Sequence, residues 1–301
     1  MMLAITGGTG FVGSHLIEAA LSAGHSVQAL ARREQPERER VEWIGGSLDD
    51  RSALERLVTD ADAIIHVAGV ISAPNAAAFE YGNVAGTLAM LAAATAGGIQ
   101  RFVHVSSLAA REPKLSLYGA SKAKAEDLVR SSGIEWIIVR PPAVYGPGDK
   151  ETLELFKMAR RGQIYLPPAG KLSLIHVADL AELLLALTRP EAPVKAVMEP
   201  DDGRKGGWTH RQFGDALGRS VGVRARTIST PRFVLALGSR LDRLLRRGRA
   251  KLTRDRVAYF CHPDWVARPE HAPPPALWRP RIDTEQGLAD TARWYLEHGW
   301  L

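Results

Sequence analysis

Apolar residues occur along the first half of the chain in short runs separated by amphipathic stretches. This alternation is expected of a parallel sheet built from βαβ units. The runs predict strands over Leu3–Thr6, Ser26–Ala31, Val41–Ile44, Ala63–Val67, Phe102–Ser106 and Ile134–Val139. Between them, helical spacing covers Val12–Ala23, stopped by Gly24, and Ala76–Ala96, stopped by Gly97 and Gly98.

The pattern changes after Pro141. Prolines and glycines cluster at Pro141, Pro142, Gly146, Pro147 and Gly148, and again at Pro167, Pro168 and Gly170. A βα-like stretch, Leu172–Leu187, is expected to return to the sheet, and helical patterns dominate from about Pro200 onward. The last helix opens with Asp283 and Gln286, spaced as in a capping box, and runs to Glu297. The predicted class is α/β: a Rossmann-type, doubly wound parallel sheet with a smaller, mostly helical C-terminal substrate domain. The dinucleotide-binding part is expected over 1–150, with 172–199 returning to it, and the substrate part over 151–171 and 200–301.

Composition narrows the setting. The 301 residues are 46% hydrophobic and 24% charged, ordinary globular values that argue against disorder. A lone cysteine, Cys261, excludes an internal disulfide and fits a reducing, cytoplasmic compartment. No Cys/His cluster has metal-ligand spacing, so no metal is expected. The chain enters its first strand directly, without a basic leader, and no apolar run approaches the roughly 20 residues that span a bilayer.

Thr6-Gly7-Gly8-Thr9-Gly10-Phe11-Val12-Gly13 follows the first strand and opens a helix. Gly7 can make the tight turn, Gly10 lets backbone approach a pyrophosphate, and Gly13 lets helix and strand pack closely. The amides of Thr9, Phe11 and Val12 belong to the same phosphate-facing turn, at a helix N-terminus that favours anions. The second strand ends in Ala31-Arg32-Arg33, with the first acid at Glu34. A carboxylate there would read a free ribose hydroxyl, whereas the planar forks of Arg32 and Arg33 suit a 2′-phosphate, favouring NADP over NAD.

Tyr118 and Lys122 stand four apart on one helix face, and Ser107 follows a strand eleven residues earlier. An ammonium near a phenol favours the phenolate, so Tyr118 is expected to exchange a proton with a substrate oxygen near neutral pH. Ser107 can donate a hydrogen bond to the same oxygen.

TGGTGFVG, HVAG at 66–69, NVAGT at 83–87, VSS at 105–107, YGASK at 118–122 and RPPAVYGPGD at 140–149 together resemble extended short-chain dehydrogenases/reductases of the epimerase/dehydratase-like kind. HVAD at 176–179 and the ending WYLEHGWL extend the resemblance over nearly the whole chain. It implies that Ser107, Tyr118 and Lys122 are catalytic and that Asn83 supports them. It places Ala68 and Gly69 along the cofactor ribose, and the backbone of Pro141, Ala143 and Val144 at the nicotinamide. The family's adenine-contacting acid is Ser47 here, which passes that contact to Leu48 and Asp49. Ser107 is followed by Leu108, Ala109 and Ala110 rather than by acids, so elimination of water is unsupported. The segment from Ser107 to Tyr118 is also short for a sugar-nucleotide enzyme.

The leading function is therefore interconversion of a carbonyl and a secondary alcohol with NADP(H). Epimerisation of a nucleotide sugar through a keto intermediate, or non-catalytic holding of cofactor, are the alternatives. Stretches expected to wall the substrate supply Ile71, Tyr145, Tyr165, Leu166 and Trp208, with Arg204, Lys205 and Arg211 as the nearby cations. This predicts an apolar ketone or alcohol as the small-molecule substrate.

Residues 219–256 hold 12 Arg or Lys against Asp242 and Asp255, a net of +10, leaving about −4 for the rest of a chain of net +6. Charge so localised is not that of a nucleic-acid binder. Within 231–256, Phe233, Val234, Leu237, Leu241, Leu244 and Leu245 approximate a stripe among Arg240, Arg243, Arg246, Arg247, Arg249 and Lys251. The segment reads either as a solvated basic helix or as a peripheral membrane contact. A homodimer stays open.

Overall fold

The computed structural model describes residues 1–246 and 254–301, with side chains described for 1–239 and 256–301. Much of the basic run within 231–256 thus lies outside the described residues, including the side chains of Arg240, Leu241, Arg243, Leu244, Leu245, Arg246, Arg247, Arg249 and Lys251. Two compact units emerge. One comprises Met1–Pro141, Leu180–Glu199 and Pro273–Trp278, and the other Pro142–Asp179, Pro200–Ala272 and Arg279–Leu301.

The first unit holds the sheet that the apolar runs predict. Its strands are β1 (Met2–Thr6), β2 (Ser26–Ala31), β3 (Val41–Gly45), β4 (Ala63–His66), β5 (Arg101–Val105) and β6 (Glu135–Val139). The spatial order is β3-β2-β1-β4-β5-β6, closed by Ala196–Met198 beside β6, with every pair parallel. Chain direction across the sheet reverses between β1 and β4, and the crevice at that switch is where such sheets bind ligands. Leu3, Ala4, Ile5, Ile64, Ile65, Phe102, Val103, Ile137 and Ile138 are fully buried, as strands covered on both faces require.

Two local expectations are revised. The run Ala76–Ala96 is not one regular α-helix: α-helical Ala76–Phe79 and Gly86–Ala96 flank a π-helical segment, Glu80–Ala85. The wide turn sits where backbone must come close to neighbours. A Cβ on Gly82 would lie 2.8 Å from Val70 Cγ2, and one on Gly86 2.6 Å from Leu48 Cδ1. Nor does Leu172–Leu187 bring a strand back to the large sheet. Leu174–His176 pairs with Ala143–Tyr145, and the chain rejoins the sheet only at Ala196–Met198. Local apolar pattern carries no information on which partner a short strand chooses.

The second unit has its own core of Tyr145, Phe156, Ile164, Leu166, Trp208, Phe213, Leu217, Leu288 and Tyr295. Small parallel pairs, Gln163–Leu166 with Arg226–Ser229 among them, brace helices His210–Ser220 and Thr284–Glu297. Asp283 caps the last helix through the Gln286 amide at 3.0 Å, as its spacing predicts. Asp179 accepts from the Arg281 and Ile282 amides, both at 3.1 Å, fixing the chain that leads into that helix. Among the described residues no helix is long and apolar enough to cross a membrane.

At Gly13 a Cβ would lie 2.0 Å from the Gly7 carbonyl oxygen and 2.7 Å from its carbon, both backbone atoms that cannot step aside. Gly13→Ala is expected to destabilise the protein by about 1–3 kcal/mol, the range for overpacking. A denaturant midpoint equal to that of the parent would contradict this packing.

Candidate functional site

The first strand delivers the glycine turn to the switch point. Gly7 takes φ +74°, and a Cβ there would lie 2.7 Å from the Ala68 amide nitrogen, so the turn lies directly against the end of β4. The Gly10 amide closes the turn on the Gly7 carbonyl at 2.9 Å. Helix α1 (Phe11–Ser22) starts after Gly10 with no side-chain cap on its first amides. Thr9 and Gly10 are exposed, Phe11 and Val12 half-buried. A glycine cradle that any Cβ would fill, facing an uncapped helix start, fits a dinucleotide pyrophosphate.

Arg32 and Arg33 follow β2 and are both exposed. Among the described residues their guanidiniums form no ion pair or hydrogen bond. They line an open groove with Ala31, Glu34, Gly45 and Gly46. Leu48 is half-buried. The exposed Asp49 carboxylate is bonded to the Ser47 hydroxyl and accepts from Tyr81 Oη at 2.7 Å. These two hydrogen bonds, that of Ser47 first, hold Asp49 below the usual carboxylate range.

The resemblance-derived residues Ala68, Gly69, Asn83, Ser107, Tyr118 and Lys122 gather at the C-terminal ends of β4 and β5. A Cβ on Gly69 would lie 3.0 Å from Asn83 Oδ1 and 3.7 Å from Lys122 Nζ. Asn83, in the π-helical turn, accepts from the Val70 amide at 2.7 Å and donates to the Val70 carbonyl at 3.0 Å and to Ser121 Oγ at 2.9 Å. Helix α5 (Leu117–Ser131) is capped by Ser116, which accepts from the Gly119 amide at 2.9 Å. Gly119 lets that helix close on the turn after Ser107, since a Cβ there would lie 2.6 Å from the Ala109 carbonyl oxygen. Tyr118 is thereby hydrogen-bonded to Ser107. The Lys122 ammonium donates to the Val105 carbonyl at 2.7 Å.

The expected lowering of Tyr118 is not what this arrangement gives. Burial pushes its phenol above the ordinary value, against a downward pull from Ser107. Lys122 is itself lowered by burial to about 8, with Glu126 acting in the opposite direction. The arrangement therefore favours the protonated phenol.

Pro141 stays with the first unit, its carbonyl accepting from the Leu108 amide at 3.1 Å. Ala143 and Val144 lie in the strand Ala143–Tyr145 of the second unit. Of the expected substrate walls, Tyr145 and Trp208 are core residues instead, 1% and 4% exposed, whereas Leu166 packs in the same core and also lines a cleft of the second unit with Arg211. Trp208 Nε1 donates to Asp202 at 2.7 Å, and the Arg204 guanidinium stacks on its ring. Ile71 and Tyr165 are exposed.

Two buried groups escape the motif reading. Glu126 accepts from Ser106 Oγ at 2.6 Å, from Arg140 Nε at 2.8 Å and Nη2 at 2.7 Å, and from Arg130 at 2.7 Å. Arg140 and Arg111 also reach Glu199, at 3.3 and 3.1 Å. Burial alone would raise Glu126, but Arg140, Ser106 and Arg130 outweigh it and hold the group below its ordinary value. This brace joins the residue before Ser107, the helix of Lys122 and the residue before Pro141. Its one sequence signal was Glu126 standing four residues after Lys122.

The second group is the stacked pair His66 and His104, 5.5 Å between rings and fully buried. Thr87 Oγ1 donates to the Asn83 carbonyl at 2.7 Å, so it accepts from His66 Nε2 at 3.2 Å. His66 Nδ1 then accepts from Thr6 Oγ1 at 2.7 Å, and that oxygen accepts from the Ala68 amide at 3.2 Å. The donor count makes His66 the neutral Nε2–H tautomer. It links the phosphate turn to the π-helical turn. Both nitrogens of His104 lack partners among the described residues.

The profile of the NAD dependent epimerase/dehydratase family matches residues 3–198. A ceramide reductase from Caulobacter vibrioides is 38% identical over 309 aligned positions, covering 100% of this chain and 96% of that protein. A 2-alkyl-3-oxoalkanoate reductase from Stenotrophomonas maltophilia is 29% identical over 96% of this chain and 97% of that one. A ketoreductase of a 3-oxo-4-farnesyl-dihydroquinoline oxide from Stigmatella aurantiaca is 34% identical over 62% of this chain and 64% of its own length. Among solved structures, MoeE5 with UDP-glucose and NAD superposes with a TM-score of 0.74 at 21% identity, covering 99% of both chains. A UDP-glucose 4-epimerase from Thermotoga maritima gives 0.72 at 20%, again over 99% of each.

Fold and site define a nicotinamide-dinucleotide-dependent enzyme of the extended short-chain dehydrogenase/reductase type. The chain belongs to the NAD dependent epimerase/dehydratase family.

Burial lowers His66 to about 3 and His104 well below its ordinary 6.5, with the Lys122 charge adding to both. An imidazole that titrates lower folded than unfolded stabilises the fold above the unfolded value and loses that share as pH falls. Stability is expected to decline from about pH 6.5 toward 3, and His104→Phe should make the decline shallower. An unchanged acid slope in that variant would contradict the assignment. Glu126→Gln, which leaves Arg140 and Arg130 facing a neutral group, should cost about 3–5 kcal/mol in denaturant melts. A loss below about 1 kcal/mol would show that the buried ion pairs carry no such weight.

Proposed function

We propose that this protein is an NADPH-dependent reductase of a long-chain, lipid-like ketone, working in the cytoplasm. The observation that carries the reading is the gathering of Ser107, Tyr118 and Lys122 at the C-terminal end of β5, with Tyr118 hydrogen-bonded to Ser107 and Lys122 fixed on the Val105 carbonyl. A reductase needs a proton donor for the alkoxide it forms, and a half-buried phenol beside a serine hydroxyl fills that role. Support for the substrate class comes from the relatives: each of the three curated reductases named above acts, by its name, on a ceramide, an alkyl-oxoalkanoate or a farnesylated 3-oxo compound. The nucleotide-sugar proteins share the fold at about 20% identity, and that likeness extends to fold alone.

In this account Gly7, Gly10 and Gly13 leave room for the pyrophosphate, with the Thr9, Phe11 and Val12 amides facing it. Arg32 and Arg33 hold the 2′-phosphate through charge-assisted bonds. Leu48 and Asp49 flank the adenine, Ala68 and Gly69 the ribose, and the Pro141, Ala143 and Val144 backbone the nicotinamide. The bound cofactor supplies the hydride that reduces the carbonyl carbon. Ser107 donates a hydrogen bond to the carbonyl oxygen and Tyr118 delivers its proton there. Lys122, fixed on the Val105 carbonyl, offsets the negative charge left on the phenol. Asn83 holds the Val70 backbone and, through Ser121, the face of α5 that carries Lys122.

NADPH is expected to bind more tightly than NADH in fluorescence titrations. Arg32→Ala should narrow the gap by about 1.5–3 kcal/mol, the worth of a hydrogen bond to a charged group. Equal affinity for the two cofactors in the parent would overturn the NADP assignment. Tyr118→Phe should leave NADPH binding near normal while slowing turnover of a ketoceramide or 3-oxo long-chain substrate by roughly 10²-fold or more. Near-parental turnover would remove Tyr118 from the chemistry.

A further inference from the structure

The second unit presents an apolar helix face that its own core does not use. In the helix Arg232–Arg246, Phe233, Val234 and Leu237 are 74%, 42% and 56% exposed, whereas Ser239 is buried at 3%. One side of the helix rests on the unit and the other offers large apolar side chains to solvent. Positions 233, 237, 241 and 244 fall on one line of an α-helix, and the sequence continues that line with leucine at the last two. This helix lies inside the stretch 219–256, whose 12 Arg or Lys against two Asp concentrate a net +10 in a chain of net +6.

Three occupants could cover such a face, and charge separates them. A second copy meeting it face to face would oppose like charge with like charge, since each helix carries Arg232, Arg240, Arg243 and Arg246 against Asp242 alone. A nucleic acid would match the charge but leave Phe233, Val234 and Leu237 in water. An anionic lipid surface satisfies both: phospholipid headgroups take the arginines, and the acyl boundary takes the apolar side chains.

We propose that the helix Arg232–Arg246 is a docking surface for an anionic phospholipid bilayer, lying along the interface with Phe233, Val234 and Leu237 turned into it. The surface rests on exposure and charge and does not depend on the reductase reading. It extends that reading, because a long-chain ketone resides in a bilayer rather than in water. Thr230 and Pro231 join the helix directly to the strand Arg226–Ser229, so docking would bring the second unit to the membrane.

The test is flotation of the full chain with phosphatidylcholine vesicles, with and without phosphatidylglycerol, at low and high salt. Binding is expected only to the anionic vesicles and is expected to fall as salt rises. The double variant Phe233→Asp/Leu237→Asp should bind at least about tenfold more weakly. The milder Phe233→Ser/Leu237→Ser should weaken it in the same direction, both keeping parental melting and NADPH affinity. Equal binding to neutral and anionic vesicles, no loss in either variant, or tighter binding to duplex DNA than to anionic vesicles would overturn the proposal. Vesicle binding without any turnover of a detergent-dispersed ketone would support the docking surface while removing the proposed activity. Turnover without vesicle binding would do the reverse.

Discussion

The site depends on a lysine held in a place that disfavours its charge. Lys122 is buried, its ammonium tied to the Val105 carbonyl at the end of β5, and burial lowers it to about 8. An isolated buried ammonium would simply lose its proton; one backed by a buried carboxylate keeps it. Glu126, one helical turn on, provides that backing, and it is ionised only because Arg140, Ser106 and Arg130 surround it. Arg140 in turn shares Glu199 with Arg111. The charge on Lys122 is thus backed by a carboxylate that belongs to a chain of ion pairs, Glu126 with Arg130 and Arg140, and Glu199 with Arg140 and Arg111. The same chain fixes the backbone on either side of Ser107 and before Pro141.

Close backbone approach is the second constraint. The glycine turn can meet β4 only because Gly7 has no side chain at 2.7 Å from Ala68, and α1 can meet that turn only because Gly13 has none at 2.0 Å from Gly7. His66 secures the junction from below, bridging Thr6 to Thr87 and through it to the Asn83 carbonyl. A neutral imidazole suits this position, since a charged one beside Lys122 would add repulsion to the cost of burial. The glycine turn and the cluster of Asn83, Tyr118 and Lys122 are therefore one packed body within the first unit.

Much of this was legible in the sequence where one residue type meets one local need. Continuous apolar runs place the six strands within a residue or so, and Gly7 and Gly13 announce the turn because only glycine fits there, while at Gly10 a Cβ would crowd the Gly7 carbonyl at 3.2 Å. Asp283 and Gln286 mark the start of the last helix. What depended on long-range pairing was not legible. Leu174–His176 chose Ala143–Tyr145 over the large sheet, and Tyr145 and Trp208, apolar enough for a pocket, fill a core instead. The π-helical turn at Glu80–Ala85 follows from contacts of Gly82 and Gly86 with Val70 and Leu48, residues distant in sequence. The shift of Tyr118 followed the same rule: spacing revealed a lysine one helical turn on, while the surroundings that raise the phenol belong to the folded unit.

Net reduction of a lipid-like ketone can be read by following the hydrogen itself. NADPH deuterated at the reactive nicotinamide carbon is incubated with the enzyme and a ketoceramide dispersed in detergent, and the lipid is analysed by mass spectrometry. A net reductase places deuterium on the carbinol carbon of the alcohol product, with matching consumption of NADPH. Deuterium retained by the cofactor without alcohol formation, together with inversion of a UDP-sugar carbinol centre under the same conditions, would contradict it.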